Sequence, residues 1–160
     1  YTPATDKWAV LKTSMPQATG YVGVATLNEQ IYVVGGYDGQ NEFNNTYIFE
    51  PDQAYWLEKA PMHKKRGGLG LISAANSLYA IGGGWEHALA NNEKYDPTSD
   101  TWTTFEPPFS HPWRNMGLAA TDTRIYAVGG WNGSAEEFMD AVTSYQFLFQ
   151  LFLPISTIGE

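Results

Sequence analysis

The chain has 160 residues, and 17 acidic against nine basic side chains give it a net charge of −8 at pH 7. That balance lacks the clustered lysine and arginine that a nucleic-acid backbone or an anionic membrane surface requires. It contains no cysteine, which excludes disulfides, thiolate nucleophiles and cysteine-ligated metals and leaves the compartment open. Ten Tyr, eight Phe, six Trp and 16 Gly with only 16% charged residues suit half-buried sheets joined by tight turns, so an all-β protein is expected.

The chain opens at Tyr1 without an initiator methionine or a charged segment followed by an apolar one, so its start reads as processed or truncated. Tyr1 and Trp8 stand seven residues apart with Pro3 between them, and the same interval recurs at Phe49 and Trp56, Tyr95 and Trp102, and Tyr145 and Phe152. Pro3, Pro51 and Pro97 end one strand because proline cannot donate to a ladder, and the turn after it returns the chain into the next. Residues 1–16 are therefore expected to be the outer strand of a preceding, partial unit.

Three full units follow, expected over 17–62, 63–108 and 109–160. Each carries a Gly-Gly pair, at Gly35-Gly36, Gly82-Gly83 and Gly129-Gly130, separated by steps of 47 residues. An aromatic-led apolar run precedes each pair: Ile31-Tyr32-Val33-Val34, Leu78-Tyr79-Ala80-Ile81 and Ile125-Tyr126-Ala127-Val128. Such runs read as buried strands. A Gly-apolar pair opens a small-residue strand in each unit, at Gly23-Val24, Gly70-Leu71 and Gly117-Leu118, and small residues suit an innermost strand crowded at an axis. Four antiparallel strands, a to d, are predicted at about 21–27, 30–36, 46–50 and 55–59 in the first unit, with counterparts 47 residues on. The last unit departs from the pattern, with Phe152 in place of Trp and Gln146-Phe147 in place of Asp-Pro. The apolar segment 147–158 contains Pro154 and runs about 12 residues, too short for a span of about 20, so it reads as a last strand and tail.

These marks together resemble the kelch repeat: the Gly-Gly pairs, the string Tyr95-Asp96-Pro97 with Trp102, Ala60-Pro61-Met62 after Trp56, and the turns Tyr37-Asp38-Gly39 and Trp131-Asn132-Gly133. The resemblance covers essentially the whole chain. It implies a β-propeller of four-stranded antiparallel blades, three complete in this chain. Propellers close with about four to eight blades, so three leave two open flanks. Either further blades of a longer chain complete the ring, or two copies join about a two-fold axis into six blades.

Antiparallel order places the d–a and b–c connections on one face and the short a–b and c–d turns on the other. The first face carries the long loops, from Tyr37 to Asn45, Trp85 to Asn92 and Trp131 to Asp140, and the approaches His63-Lys64-Lys65-Arg66 and His111-Pro112-Trp113-Arg114. Long loops on a rigid scaffold are where recognition is placed. The candidate ligand-binding residues are Tyr37, Asp38, His63, Arg66, Trp85, His87, Trp113, Arg114, Trp131 and Asn132. Aromatics with arginine are the composition of an interaction hot spot or a sugar-stacking platform. Arg66 and Arg114 are expected to face a ligand, whereas Trp85 and Trp131 divide between exposure and packing between blades.

The expected function is a scaffold that binds a protein or peptide partner on this face, without catalysis, cofactor or metal. His63, His87 and His111 are too separated for a metal site, and no nucleophile elbow or phosphate loop is present. The resemblance also implies alternatives. Copper radical oxidases of kelch type need a Tyr-Cys crosslink, which the absence of cysteine excludes. A sialic-acid anomer-converting enzyme would use Arg66 and Arg114 to hold a carboxylate, and a secreted carbohydrate-binding module would use the tryptophans. Two glycosylation sequons, Asn44-Asn45-Thr46 and Asn132-Gly133-Ser134, and an ending at 151–154 similar to the tails of secreted repeat proteins lean towards the outside of the cell.

Overall fold

The computed structural model describes residues 1–105, 112–133 and 137–147. Apart from a 3-10 turn at Pro3–Thr5, every regular element among them is a β-strand. Strands β1 (Gly23–Leu27), β2 (Gln30–Val34), β3 (Thr46–Glu50) and β4 (Tyr55–Lys59) lie side by side in chain order as one antiparallel sheet. β5 (Gly70–Ala74), β6 (Ser77–Ile81), β7 (Asn92–Asp96) and β8 (Thr101–Phe105) repeat it. β10 (Gly117–Ala120), β11 (Arg124–Val128) and β14 (Val142–Gln146) form the first three strands of a third blade. Its expected outer strand at Phe152 lies outside the described residues. A small sheet absent from the sequence expectations joins β9 (Trp113–Arg114), β12 (Trp131–Asn132) and β13 (Glu137–Phe138) on the loop face.

Local chemistry sets the strand limits. Asn28 and Glu29 (φ 51° and 65°) close β1 onto β2, and Ala75 and Asn76 (φ 44° and 55°) close β5 onto β6. These are two-residue hairpins whose left-handed backbone matches the twist of the flanking strands. Strand b stops at Val34 rather than Gly36, because Gly35 and Gly36 turn the chain away at φ 66° and 116°. At the N-terminus Thr2 pairs with Lys7, and the Tyr1 hydroxyl donates to Asp6 Oδ1 at 2.7 Å with the Trp8 ring 5.2 Å away. The β7–β8 turn has the same design, with Tyr95 donating to Asp100 at 2.6 Å and Trp102 at 5.1 Å. The first eight residues thus carry the local geometry of a c-to-d hairpin.

Core side chains fill the spaces between blades rather than one central mass. Tyr32, Val34, Ile48, Leu69, Leu71, Leu78, Ala80, Tyr95 and Trp102 pack between the first two blades. Tyr79, Ile81, Trp113, Met116, Ile125 and Ala127 pack between the second and third. Alternate residues of β6 serve opposite clusters, which is why all five are buried and why its sequence reads as a continuous apolar run. Trp102 also ties blade to blade through its indole N–H, donated to the Ala60 carbonyl and Thr46 Oγ1 at 2.9 and 3.1 Å.

The Gly-apolar pairs are points of contact between inner strands. A Cβ added at Gly23 would lie 2.6 Å from Leu71 Cβ, and one at Gly70 would lie 2.6 Å from Leu118 Cδ1. Each glycine leaves space for the leucine of the following blade. Because Leu71 Cβ is fixed to the backbone, Gly23→Ala is expected to lower stability by about 1–3 kcal/mol through overpacking, measured by denaturant or thermal unfolding.

Candidate functional site

On the loop face, two residues at one repeat position each bridge two glycine corners. The Arg66 carbonyl accepts the Gly36 N–H of the first blade at 2.7 Å, while its Nη1 donates to the Gly82 carbonyl of the second at 2.7 Å. One repeat on, the Trp113 carbonyl accepts the Gly83 N–H at 2.7 Å, and its indole N–H donates to the Gly129 carbonyl at 2.6 Å. Arg66 and Trp113 therefore occupy the same repeat position with different donors.

This placement corrects the expectation that Arg66 faces a ligand. Arg66 is 0% exposed and donates to Glu93 Oε1 from Nε and Nη2 at 3.3 and 2.9 Å, and to the Asn91 carbonyl at 2.7 Å. Glu93 is likewise 0% exposed and also accepts the His63 and Lys64 backbone N–H groups, with His63 Nδ1 2.9 Å away. Burial alone pushes the Glu93 carboxyl up. The His63 backbone bond, the Arg66 hydrogen bond and charge, and the Lys64 bond outweigh it and hold the group below its ordinary value. Trp113, 3% exposed, is a scaffold residue as well.

Arg114 is one residue out of register with Arg66, and its side chain leaves the core. Its guanidinium carbon lies 3.6 Å from the Trp131 ring centroid and 4.9 Å from that of Trp85, held between two indoles. Nη1 donates to the Trp85 carbonyl at 2.7 Å. Partial burial lowers its pKa, and the charge of Glu42 opposes that shift. Beyond it, Trp85 stacks on Tyr37 at 5.0 Å and 16° and meets Tyr21 at 4.3 Å. Glu42 Oε1 fixes this arrangement by accepting the Trp85 N–H at 2.5 Å and the Gly67 N–H at 2.9 Å. The outcome is one stack, Tyr37–Trp85–Arg114–Trp131, that crosses three blades.

Two open cavities flank Trp85. One, of about 400 Å³, is lined by Trp85, Arg114, Asn115, Gly130, Trp131 and Phe138. The other, of about 510 Å³, is lined by Thr19, Tyr21, Tyr37, Asp38 and Trp85 among others. Asp38 is exposed, but its Oδ1 accepts the Gln40 and Asn41 N–H groups at 2.8 and 2.6 Å, a local turn that holds its carboxyl low.

Of the sequence candidates, the structure brings together Tyr37, Trp85, Arg114 and Trp131, with Asp38 at one end and Asn132 paired across β9 and β12. His63 and His87 lie on exposed loops outside the stack, and His111 lies outside the described residues. Tyr21, Glu42, Asn115 and Phe138 complete the site without having been singled out. Only the 47-residue register, which puts Arg114 opposite Gly67 rather than Arg66, signals in the sequence that the two arginines differ. With Arg66 buried, the pair cannot jointly grip the carboxylate of a sialic acid. The ring faces a sugar would use on Trp85 and Trp131 are covered in part by Tyr37 and Arg114. In the first sequon Asn44 Nδ2 donates to the Met62 carbonyl at 2.7 Å and Thr46 is fully buried, so the folded chain does not offer that amide to a glycan. Among the described residues no helix is long and apolar enough to cross a membrane.

The blades and their glycine corners define a propeller repeat, and comparison with known proteins gives the family. The model of the Kelch motif matches residues 18–63, 65–108 and 112–149. The chain belongs to the kelch-repeat family. It is 30% identical over 151 residues to Kelch-like protein 26 of Danio rerio, taking in 91% of this chain and 25% of that protein. It is 29% identical over 156 residues to Kelch-like protein 36 of Bos taurus, with 91% and 25% covered. It is 33% identical over 137 residues to Kelch domain-containing protein 7A of Mus musculus, with 81% and 17% covered. The chain thus spans about a quarter or less of the length of these relatives.

Removing one partner of the Arg66–Glu93 pair leaves an uncompensated buried charge, so Arg66→Met is expected to cost about 3–5 kcal/mol in equilibrium unfolding. Because the folded Glu93 pKa lies below its unfolded value of about 4.3, its contribution is present above that pH and is lost as pH falls through the folded value. Unfolding free energy should therefore drop on acidification through this range, and less steeply in Glu93→Gln.

Proposed function

We propose that these blades are part of a kelch propeller that binds a protein or peptide partner through the d–a and b–c loops. The observation that carries this reading is the Tyr37–Trp85–Arg114–Trp131 stack, which sits between two cavities on the long-loop face. Aromatic side chains and arginine held rigid by the scaffold present contact area at little entropic cost, which is how interface hot spots are made. The relatives' membership of the same repeat family supports a binding role rather than a catalytic one.

Further blades complete the ring in this reading. Gly117 is the repeat counterpart of Gly23 and Gly70, yet a Cβ there would meet only the Val128 carbonyl, at 3.8 Å. Val128 and Val142 beside it are 48% and 67% exposed. Trp56 Nε1 is buried without a hydrogen-bond partner among the described residues, whereas its counterpart Trp102 donates into the preceding blade. Both flanks thus carry half of a blade-to-blade contact.

Selection of a displayed random-peptide library against the protein tests the binding face. Enriched peptides should lose affinity with Trp85→Ala and keep it with Leu57→Ser, which alters a separate cavity shared with the Asn28 and Pro97–Thr98 turns; the reverse pattern overturns the assignment. Gly117→Ala tests the ring. It should leave stability within about 0.5 kcal/mol in three blades alone and lower it by about 1–3 kcal/mol in a longer chain that carries the next blade.

A further inference from the structure

The cavity of about 510 Å³ on the other side of Trp85 joins aromatic rings to a carboxylate. Tyr21, Tyr37 and Trp85 line it together, with the Tyr21 ring centroid 4.3 Å and the Tyr37 centroid 5.0 Å from that of Trp85. Among the described residues that line it, Asp38 alone is charged. The backbone bonds to its carboxylate, from Gln40 and Asn41, are both made to Oδ1. They fix the group in place and take two of its roughly four acceptor sites.

Tyr21, Gly68 and Asn115 stand at one repeat position, 47 residues apart, and all three have a left-handed backbone, with φ 53°, 69° and 56°. A row of backbone hydrogen bonds fixes that conformation: the Asn115 N–H donates to the Gly68 carbonyl at 2.8 Å, and the Gly68 N–H to the Tyr21 carbonyl at 2.9 Å. Glycine and asparagine enter this region readily, whereas a tyrosine does so under strain. The Tyr21 side chain is 56% exposed, so little burial offsets that strain, and what the ring supplies is a wall of the cavity. The other two rings are anchored. Tyr37 is bridged to Gly20 on one side and Glu42 on the other, and Glu42 Oε1 accepts the Trp85 N–H.

Ring faces attract a cation through their negative π-clouds, and a carboxylate beside them adds charge and hydrogen-bond acceptors. The net charge of −8 favours the approach of a basic partner. Arg114 lines the other cavity, and the charge of Glu42 opposes its own. Resting on the peptide-binding reading above, we infer that the Tyr21–Tyr37–Trp85 cavity is a pocket for a basic side chain of the partner, with its charge over the rings and against Asp38. Arginine fits better than lysine, because a planar guanidinium stacks flat on a ring and keeps an N–H edge for the carboxylate. The face already holds one guanidinium in this manner, Arg114 at 3.6 Å from the Trp131 ring centroid.

Peptides enriched from the displayed random library are remade synthetically and measured against the protein by calorimetry. The enriched sequences should share an arginine. Replacing it by citrulline, which keeps the shape and removes the charge, should weaken binding about 5- to 30-fold, with lysine falling between the two. Asp38→Asn keeps an acceptor for the local turn and should weaken the arginine peptide by a similar factor while leaving the citrulline peptide unchanged, as expected of a direct pair. Tyr21→Gly installs the residue found at this position in the second blade, so it should lower affinity with little change in melting temperature. A thermal melt reports whether each variant is folded, and the citrulline peptide needs no variant. Basic peptides drawn only by the overall negative charge are indifferent to Tyr21→Gly and overturn the pocket. Peptides enriched without a basic residue, sensitive to Trp85→Ala and indifferent to Asp38→Asn, overturn the pocket and leave the binding face standing. Failure to enrich any peptide sensitive to Trp85→Ala overturns both.

Discussion

The close approach of backbone to backbone at the glycine corners is the constraint on which the remaining structure depends. Each corner turns through φ values between 59° and 116°, a region that side chains with a Cβ rarely enter. The turn brings the Gly36 and Gly83 N–H groups onto the carbonyls of Arg66 and Trp113. A buried N–H without a partner is costly, so the chain entering the next blade is fixed where its carbonyl must sit. The same residue reaches forward with a side-chain donor to the next corner, and one position per repeat thereby sets the spacing of neighbouring blades.

That latch can be made with different side chains because it requires one N–H at one point. In the second blade it is a guanidinium, which brings a charge into the interior and so requires Glu93 and the amides around it. At the third it is an indole, which donates the one hydrogen bond without a charge to neutralise. The indole solution leaves the following residue, Arg114, outside the core. Its charge is then stabilised by the faces of Trp85 and Trp131 and stays close to solvent. Scaffold and candidate site are in this sense one arrangement read from its two sides.

The small sheet of β9, β12 and β13 extends the same logic into the loops. Pairing Trp131 with Arg114 across two strands fixes both against each other, so the stack is carried by backbone hydrogen bonds and not by loop conformation alone. Glu42 performs the corresponding task for Trp85 from the first blade, through two backbone N–H groups that belong to separate segments. The face is consequently rigid where it is aromatic, and its cavities lie beside anchored side chains.

Much of this fold was legible in the sequence because a propeller repeats one local solution. The glycine pairs, the aromatic seven-residue interval and the apolar runs each answer a local requirement: a left-handed corner, a hairpin with its tyrosine–aspartate bond, a strand buried on both faces. The 47-residue step then repeats them. The loop face followed from strand direction, and its aromatic composition from the residues of the loops it carries. What composition could not decide was the destination of each polar side chain. Arg66 and Arg114 look alike in the sequence, yet one residue of register sends the first into an ion pair in the core and the second between two rings. Tyr21, Glu42 and Phe138 joined the site only through contacts between segments distant in the chain. The repeat, the blades and the loop face could be read from residue type at fixed local spacing; that Arg66 is buried in an ion pair while Arg114 lies against two indole rings could not, because burial and hydrogen-bond partners come from neighbouring blades.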